Sequence, residues 1–171
     1  PTESFATFGQ TTYNITEQWA TTLGLRYTRE DKSADLFTEP YSTAAAAAVG
    51  GALVQRAFAP VDNDFHRNAD GFTWLANLTW FMTDETMLFT SITTGSKSGG
   101  FNGVAGEGAQ REFDDEDTTN YELGIKSQWL DNRLQVNASA FYTEFDELQF
   151  LAQQSTGVGT FVSNAAQGTS S

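Results

Sequence analysis

Phe72-Thr73-Trp74-Leu75-Ala76-Asn77-Leu78-Thr79-Trp80-Phe81-Met82 is the stretch whose period decides the fold. Every even position in it is apolar, while the odd positions include Thr73, Asn77 and Thr79. Successive side chains of a strand point to opposite faces, so the segment predicts a strand with one apolar and one polar side. Trp74 and Trp80 share the apolar side, about 20 Å apart at 3.3–3.4 Å per residue.

The same period recurs in three more places. From Trp19 to Glu30 the apolar set is Trp19, Leu23, Leu25 and Tyr27, with Thr21 among them. From Thr119 to Trp129 it is Tyr121, Leu123, Ile125 and Trp129, set against Asn120, Glu122, Lys126 and Gln128. A fourth segment puts Leu134, Val136, Ala138, Ala140 and Tyr142 opposite Gln135, Asn137, Ser139 and Thr143. Phe5 to Ile15 and Thr86 to Gly95 are rich in Thr, Phe and Ile and read as strands, but their alternation is too poor to assign faces. A further strand is expected near Gly159 to Ala165. The fold class is therefore all-β, an antiparallel up-and-down meander of six or seven strands.

The connections are of two kinds that alternate along the chain. Ile15 to Gln18, Thr83 to Glu85 and Leu130 to Arg133 are short and polar, with Asn and Asp residues that suit turn backbone. Between them lie long connections, roughly Asp31 to Asp70, Ser96 to Thr118 and Glu147 to Gly159. Short turns on one side and long loops on the other are the pattern of outer-membrane barrels. The predicted strands also match the 9–11 residues that cross a membrane at a tilt. Apolar strand faces tipped with Trp and Tyr would then meet lipid and its interfaces. The opposite faces, with Arg26, Asn77, Glu122, Lys126, Gln128, Gln135 and Asn137, would line a wet lumen. A soluble β-sandwich is the competing architecture, since its sheets also have one apolar face.

Composition narrows the function. The 171 residues hold 9 basic and 22 acidic side chains, a formal net charge of −13. That balance argues against a nucleic-acid partner, because phosphates are neutralised by clustered Lys and Arg. With no Cys and one His, thiolate zinc sites, iron–sulfur clusters, Cys nucleophiles and two-imidazole sites are excluded. Aromatics reach 13% and charged residues only 18%, against roughly a quarter charged in an ordinary soluble domain. No run approaches the roughly 20 apolar residues of a spanning helix, an absence that says nothing against a barrel.

Three segments carry a family resemblance. Thr94-Gly95-Ser96-Lys97-Ser98-Gly99-Gly100-Phe101-Asn102, the stretch Asn120-Tyr121-Glu122-Leu123-Gly124-Ile125-Lys126-Ser127-Gln128-Trp129-Leu130-Asp131, and Ala140-Phe141-Tyr142-Thr143-Glu144-Phe145-Asp146-Glu147-Leu148-Gln149 resemble the β-barrel of TonB-dependent outer-membrane receptors. Gly24-Leu25-Arg26-Tyr27-Thr28 upstream and Asn164-Ala165 downstream look like further landmarks of that family, in its order.

The resemblance implies a barrel of about 22 strands closed around a plug, in the outer membrane of a Gram-negative bacterium. Residues 1–171 are then expected to be a fragment of the barrel domain, without the plug and without the C-terminal strands. The closing Gly168-Thr169-Ser170-Ser171 is unlike the family's terminal strand. The implied function is TonB-dependent uptake of a scarce, large nutrient. Iron–siderophore complexes are the commonest cargo of the family, with glycans and vitamin B12 also taken up. Implied partners are the TonB-ExbB-ExbD system through the plug region, outer-membrane lipid and lipopolysaccharide, and the nutrient ligand. No cofactor, resident metal or enzymatic activity is expected. A passive porin or structural outer-membrane barrel is the alternative function, and a soluble β-sandwich adhesin a third. On this reading the ligand-binding candidates are Lys97, Phe101, Asn102 and Arg111.

Other motifs carry less. Gly95-Ser96-Lys97-Ser98 fails as a phosphate loop because Ser96 stands where Gly must precede Lys. Asp114, Asp115, Glu116 and Asp117 read as a solvated loop rather than a cation site, lacking the spacing of a calcium loop. Glu122, Glu144 and Asp146 offer carboxylates with no sign of the burial that acid–base chemistry needs. His66 reads as a surface residue. Ala44 to Ala48 followed by Val49-Gly50-Gly51 would suit a short helical turn.

Overall fold

Residues 1–37, 62–103, 112–153 and 160–171 are described in the computed structural model. Seven strands form one antiparallel sheet: β1 (Thr2–Asn14), β2 (Trp19–Phe37), β3 (Asp62–Thr83), β4 (Thr86–Lys97), β7 (Glu116–Trp129), β8 (Leu134–Gln153) and β9 (Thr160–Ser170). They lie in chain order, each paired with its sequence neighbour except where a small hairpin, β5 (Gly100–Phe101) with β6 (Glu112–Phe113), is inserted between β4 and β7. The meander read from the sequence is thus the observed topology.

Register assigns the faces, because residues directly opposite in an antiparallel ladder point to the same side. Trp19 faces Trp80, Leu23 faces Ala76, Leu25 faces Trp74 and Tyr27 faces Phe72. Across the sheet Leu88 faces Ile125, Ile92 faces Tyr121, and Tyr121 in turn faces Tyr142. The apolar sets of the individual strands therefore merge into one continuous face. Its aromatic rims include Trp19 and Trp80, stacked with ring centroids 5.5 Å apart, and Tyr27 and Phe72 at 5.1 Å. On the other side Arg26 faces Thr73, Glu122 faces Phe141 and Lys126 faces Asn137, so the polar sets also merge.

The two strands without readable alternation are settled by the same ladder. In β1, Thr7, Thr11 and Tyr13 join the apolar face, and Phe8, opposite Arg26, points to the polar one. In β4, Leu88 and Ile92 are on the apolar face, while Phe89, opposite Gly124, is on the polar one. Each strand therefore sets an aromatic against its own alternation.

No described residue covers the apolar face. Leu123 is 61% exposed, Leu25 and Phe72 are exposed as well, and among the described residues the buried hydrophobic core is Ala20 alone. A soluble sandwich would have packed a second sheet here, and the described residues contain only the two-residue β5–β6 pair besides the main sheet. So large an uncovered apolar surface is compatible with lipid and not with water.

The strands are longer than the sequence implied. β2 and β3 run 19 and 22 residues, β8 runs 20, against the 9–11 needed to span at a tilt. The connection expected from Asp31 to Asp70 accordingly shrinks, because Asp31 to Phe37 and Asp62 to Asp70 belong to the β2–β3 ladder. The outward side of that ladder changes character above Tyr27 and Phe72, where Arg29 faces Asp70 and Asp35 faces Asp64. Polar residues stand on both sides there, so the apolar–polar period that marks a strand is lost. In the same way β8 continues to Gln153, and β9 starts at Thr160 and takes in Gly168 to Ser170 opposite Phe145 to Thr143. The three short turns stand where expected. In the third, Asp131 and Asn132 both have left-handed backbone, φ 56° and 64°, and the Arg133 N–H donates to the Leu130 carbonyl at 3.2 Å. The helical turn expected at Ala44 to Ala48 lies outside the described residues.

Candidate functional site

The polar face and the long-connection end of the sheet meet at a depression of about 250 Å³. Arg26, Thr28 and Glu30 of β2, Thr73 of β3, Ser96 of β4, and Ser98 and Asp115 from the segments around β5 and β6 line it. Arg26 is fixed in it by donating Nε–H to the Thr28 hydroxyl at 3.1 Å.

One wall is a strap, the two legs 98–102 and 112–116 that carry β5 and β6. Gly99 permits their close approach: a Cβ there would overlap the Phe113 carbonyl and meet the Asp114 carbonyl carbon at 2.9 Å. Lys32 of β2 holds the first leg, donating to the Ser98 hydroxyl at 2.7 Å and the Gly99 carbonyl at 2.8 Å, and it pairs with Glu30 at 3.5 Å. The Ser98 hydroxyl also bonds the Glu30 carboxylate. Arg67 of β3 holds the second leg, pairing with Asp115 at 3.1 Å and Asp114 at 3.5 Å. Asp115 Oδ1 closes the hairpin by accepting the Gly99 N–H at 2.6 Å. Phe65 of β3 packs on Phe101 of the strap, centroids 5.3 Å apart.

On its far side the strap is joined to β8 and β9 by side-chain amides. Asn102 donates to the Val162 carbonyl at 2.9 Å and accepts the Val162 N–H at 2.8 Å. Asn164 treats Asp114 the same way, at 3.0 and 2.8 Å, and also donates to the Glu147 carbonyl at 2.8 Å. Gln149 donates to the Asp114 carbonyl at 3.0 Å and, at 3.4 Å, to the carbonyls of Lys97 and Ser98, while its N–H is accepted by Glu116 at 2.7 Å.

The sequence-predicted residues are therefore divided among different settings. Lys97 is exposed at the end of β4, opposite Glu116. Phe101 packs against Phe65, and Asn102, 5% exposed, is engaged with β9. Arg111 lies outside the described residues. The acidic run is only in part the solvated loop expected of it: Asp114 and Asp117 are exposed, Asp114 pairing with Arg67 at the surface, whereas Asp115 is half-buried on Arg67 and Glu116, 8% exposed, caps the Gln149 N–H. The reason is Arg67, brought alongside by β3 from some 50 positions away in sequence. Lys32, Arg67, Gln149 and Asn164 were not singled out as site residues. Gln149 and Asn164 stand inside the family landmarks, but nothing local to Lys32 or Arg67 marks them. Among the described residues no His, Asp or Glu cluster is arranged to hold a metal.

Comparison with known proteins places this geometry. A family profile described as TonB dependent receptor-like, beta-barrel matches residues 1–171. The probable TonB-dependent siderophore receptor PiuA of Acinetobacter baumannii is 26% identical over 136 residues, 76% of this chain and 16% of that protein. The ferric yersiniabactin uptake receptor FyuA of Yersinia pestis matches with a TM-score of 0.71 at 20% identity, over 97% of this chain and 22% of that one. The ferric-catecholate import receptor Fiu of E. coli K12, in its closed form, gives 0.68 at 20% identity, over 98% and 24%. The copper transporter OprC gives 0.73 at 13% identity, over 98% and 25%. These solved structures share the fold, and the chain spans a quarter or less of the length of each.

Proposed function

The chain belongs to the TonB-dependent receptor-like β-barrel family, a family of Gram-negative outer-membrane proteins, and from that premise we propose that the receptor it forms part of imports an iron–siderophore complex with energy supplied through TonB. The observation that carries this reading is the pairing of an uncovered apolar face with a polar face that bears a built, charged depression at the long-connection end. The first face suits lipid and the second suits a water-filled interior that receives a ligand. Siderophore receptors among the relatives support the cargo class. In this reading Lys97 and Arg111 offer cations to an anionic ferric complex, Phe101 offers an aromatic surface, and Asn102 holds the strap leg that carries Phe101. The plug region would contact TonB, and lipopolysaccharide would surround the wall on the outside.

Uptake of radiolabelled iron decides it. Cells expressing the full receptor, supplied singly with ferric catecholates and ferric hydroxamates, should accumulate iron from at least one, and deletion of TonB should abolish that uptake. Accumulation that persists without TonB would make the barrel a passive porin, and no accumulation from either class would remove the siderophore assignment.

A further inference from the structure

Four backbone N–H groups around the strap share an unusual arrangement. Gly99, Asp114, Gln149 and Val162 each donate to a side chain from another segment: Asp115, Asn164, Glu116 and Asn102 respectively. Gly99 and Asp114 lie outside the main ladder, and Gln149 and Val162, although paired with Asn164 and Leu151 across β8–β9, give these N–H groups to side chains as well. Asn102 and Asn164 do more than cap. Each offers an amide that both donates to and accepts from one residue's backbone, as a neighbouring strand would. Followed round, the bonds form a circuit: first leg to β9 through Asn102, β9 to second leg through Asn164, second leg to first leg through Asp115. Arg67 and Lys32 tie the same two legs to β3 and β2.

We propose that Asn102 and Asn164 are positioning residues which join the strap to β9 so that strap, β9 edge and the β2–β3 anchors hold or release as one cooperative unit. The inference deepens the uptake reading, since the strap supplies Ser98 and Asp115 to the depression. A change at one anchor is therefore felt at the others. Asn102 does not shape the depression by touching ligand; it sets where the wall stands.

Amide hydrogen exchange on the full-length receptor in lipid tests this without a ligand. Asn102→Ala should speed exchange at Val162, Asp114 and Gly99 together, each by about tenfold or more, because the three belong to one opening unit. Asn102→Asp keeps the acceptor for the Val162 N–H and should leave Val162 the slowest of the three. Acceleration confined to Val162 would overturn the proposal. Should Asn102→Ala fail to assemble, Arg67→Met serves from the opposite side: its ion pairs are with Asp114 and Asp115, yet exchange at Val162 must rise, and an unchanged Val162 overturns the circuit. If the exchange result holds but no ferric siderophore passes the uptake assay, the cargo assignment falls and the circuit stands. If one does pass, Asn102→Ala should weaken retention of that complex, and Asn102→Asp should restore part of it.

Discussion

At the scale of single residues, the polar face is shaped as much by contacts across strands as by charge. Phe89 lies over Gly124, which faces it in the register, and Lys126 Nζ sits 5.3 Å from the centroid of the same ring. A Cβ on Gly124 would overlap the ring and come within 3.1 Å of the Ala138 carbonyl. The bare backbone is what lets an aromatic lie flat on the sheet, a known way of compensating a glycine in a strand. Gly124→Ala should therefore destabilise the barrel by about 1–3 kcal/mol, the range for forced overpacking. Gly71→Ala, where an added Cβ meets nothing within 4 Å, should cost far less. In a Phe89→Ala background the Gly124→Ala penalty should shrink, since residues in contact are not additive. Denaturant unfolding of the full receptor in lipid vesicles gives all three values.

Individual strands show how far the sequence could be read. In β2, β3, β7 and β8 strict alternation gave both the strand and its faces, because lipid and water each dictate one side. In β1 and β4 that logic is interrupted by Phe8 and Phe89, aromatics that the polar face uses, and only the pairing register could sort them. The strap was illegible for another reason. Its anchors come from β2, β3, β8 and β9, and their proximity is a product of the sheet, not of sequence spacing. Where faces were readable, β7 offers the sharpest mutational contrast. Leu123 points to the apolar side and its neighbour Glu122 to the polar side. Leu123→Arg should lower stability in lipid by about 2–4 kcal/mol, the cost of an Arg near the bilayer midplane on the lipid side. Glu122→Arg should change it by much less, since a charge facing the interior stays hydrated. Equal losses in bilayer unfolding titrations would mean the faces are reversed.

For the whole molecule, the uncovered face, the aromatic rims and the unequal connections describe one object, a stretch of transmembrane wall with the polar depression on its inner face. The short turns gather at one rim near Trp19, Trp80 and Trp129, and the long ladders project past the other, carrying the depression and its strap to that opposite rim. All of this rests on which face meets lipid. The chain has no Cys, so single cysteines can be introduced from residue 72 to residue 80 and spin-labelled one at a time in the full receptor, reconstituted in bilayers. Accessibility to oxygen, which concentrates in lipid, and to a water-soluble relaxation agent should then alternate with period two: oxygen high at Phe72, Trp74, Ala76, Leu78 and Trp80, the aqueous agent high at Thr73, Asn77 and Thr79. Uniform accessibility along the segment, or alternation in the opposite phase, would contradict the account.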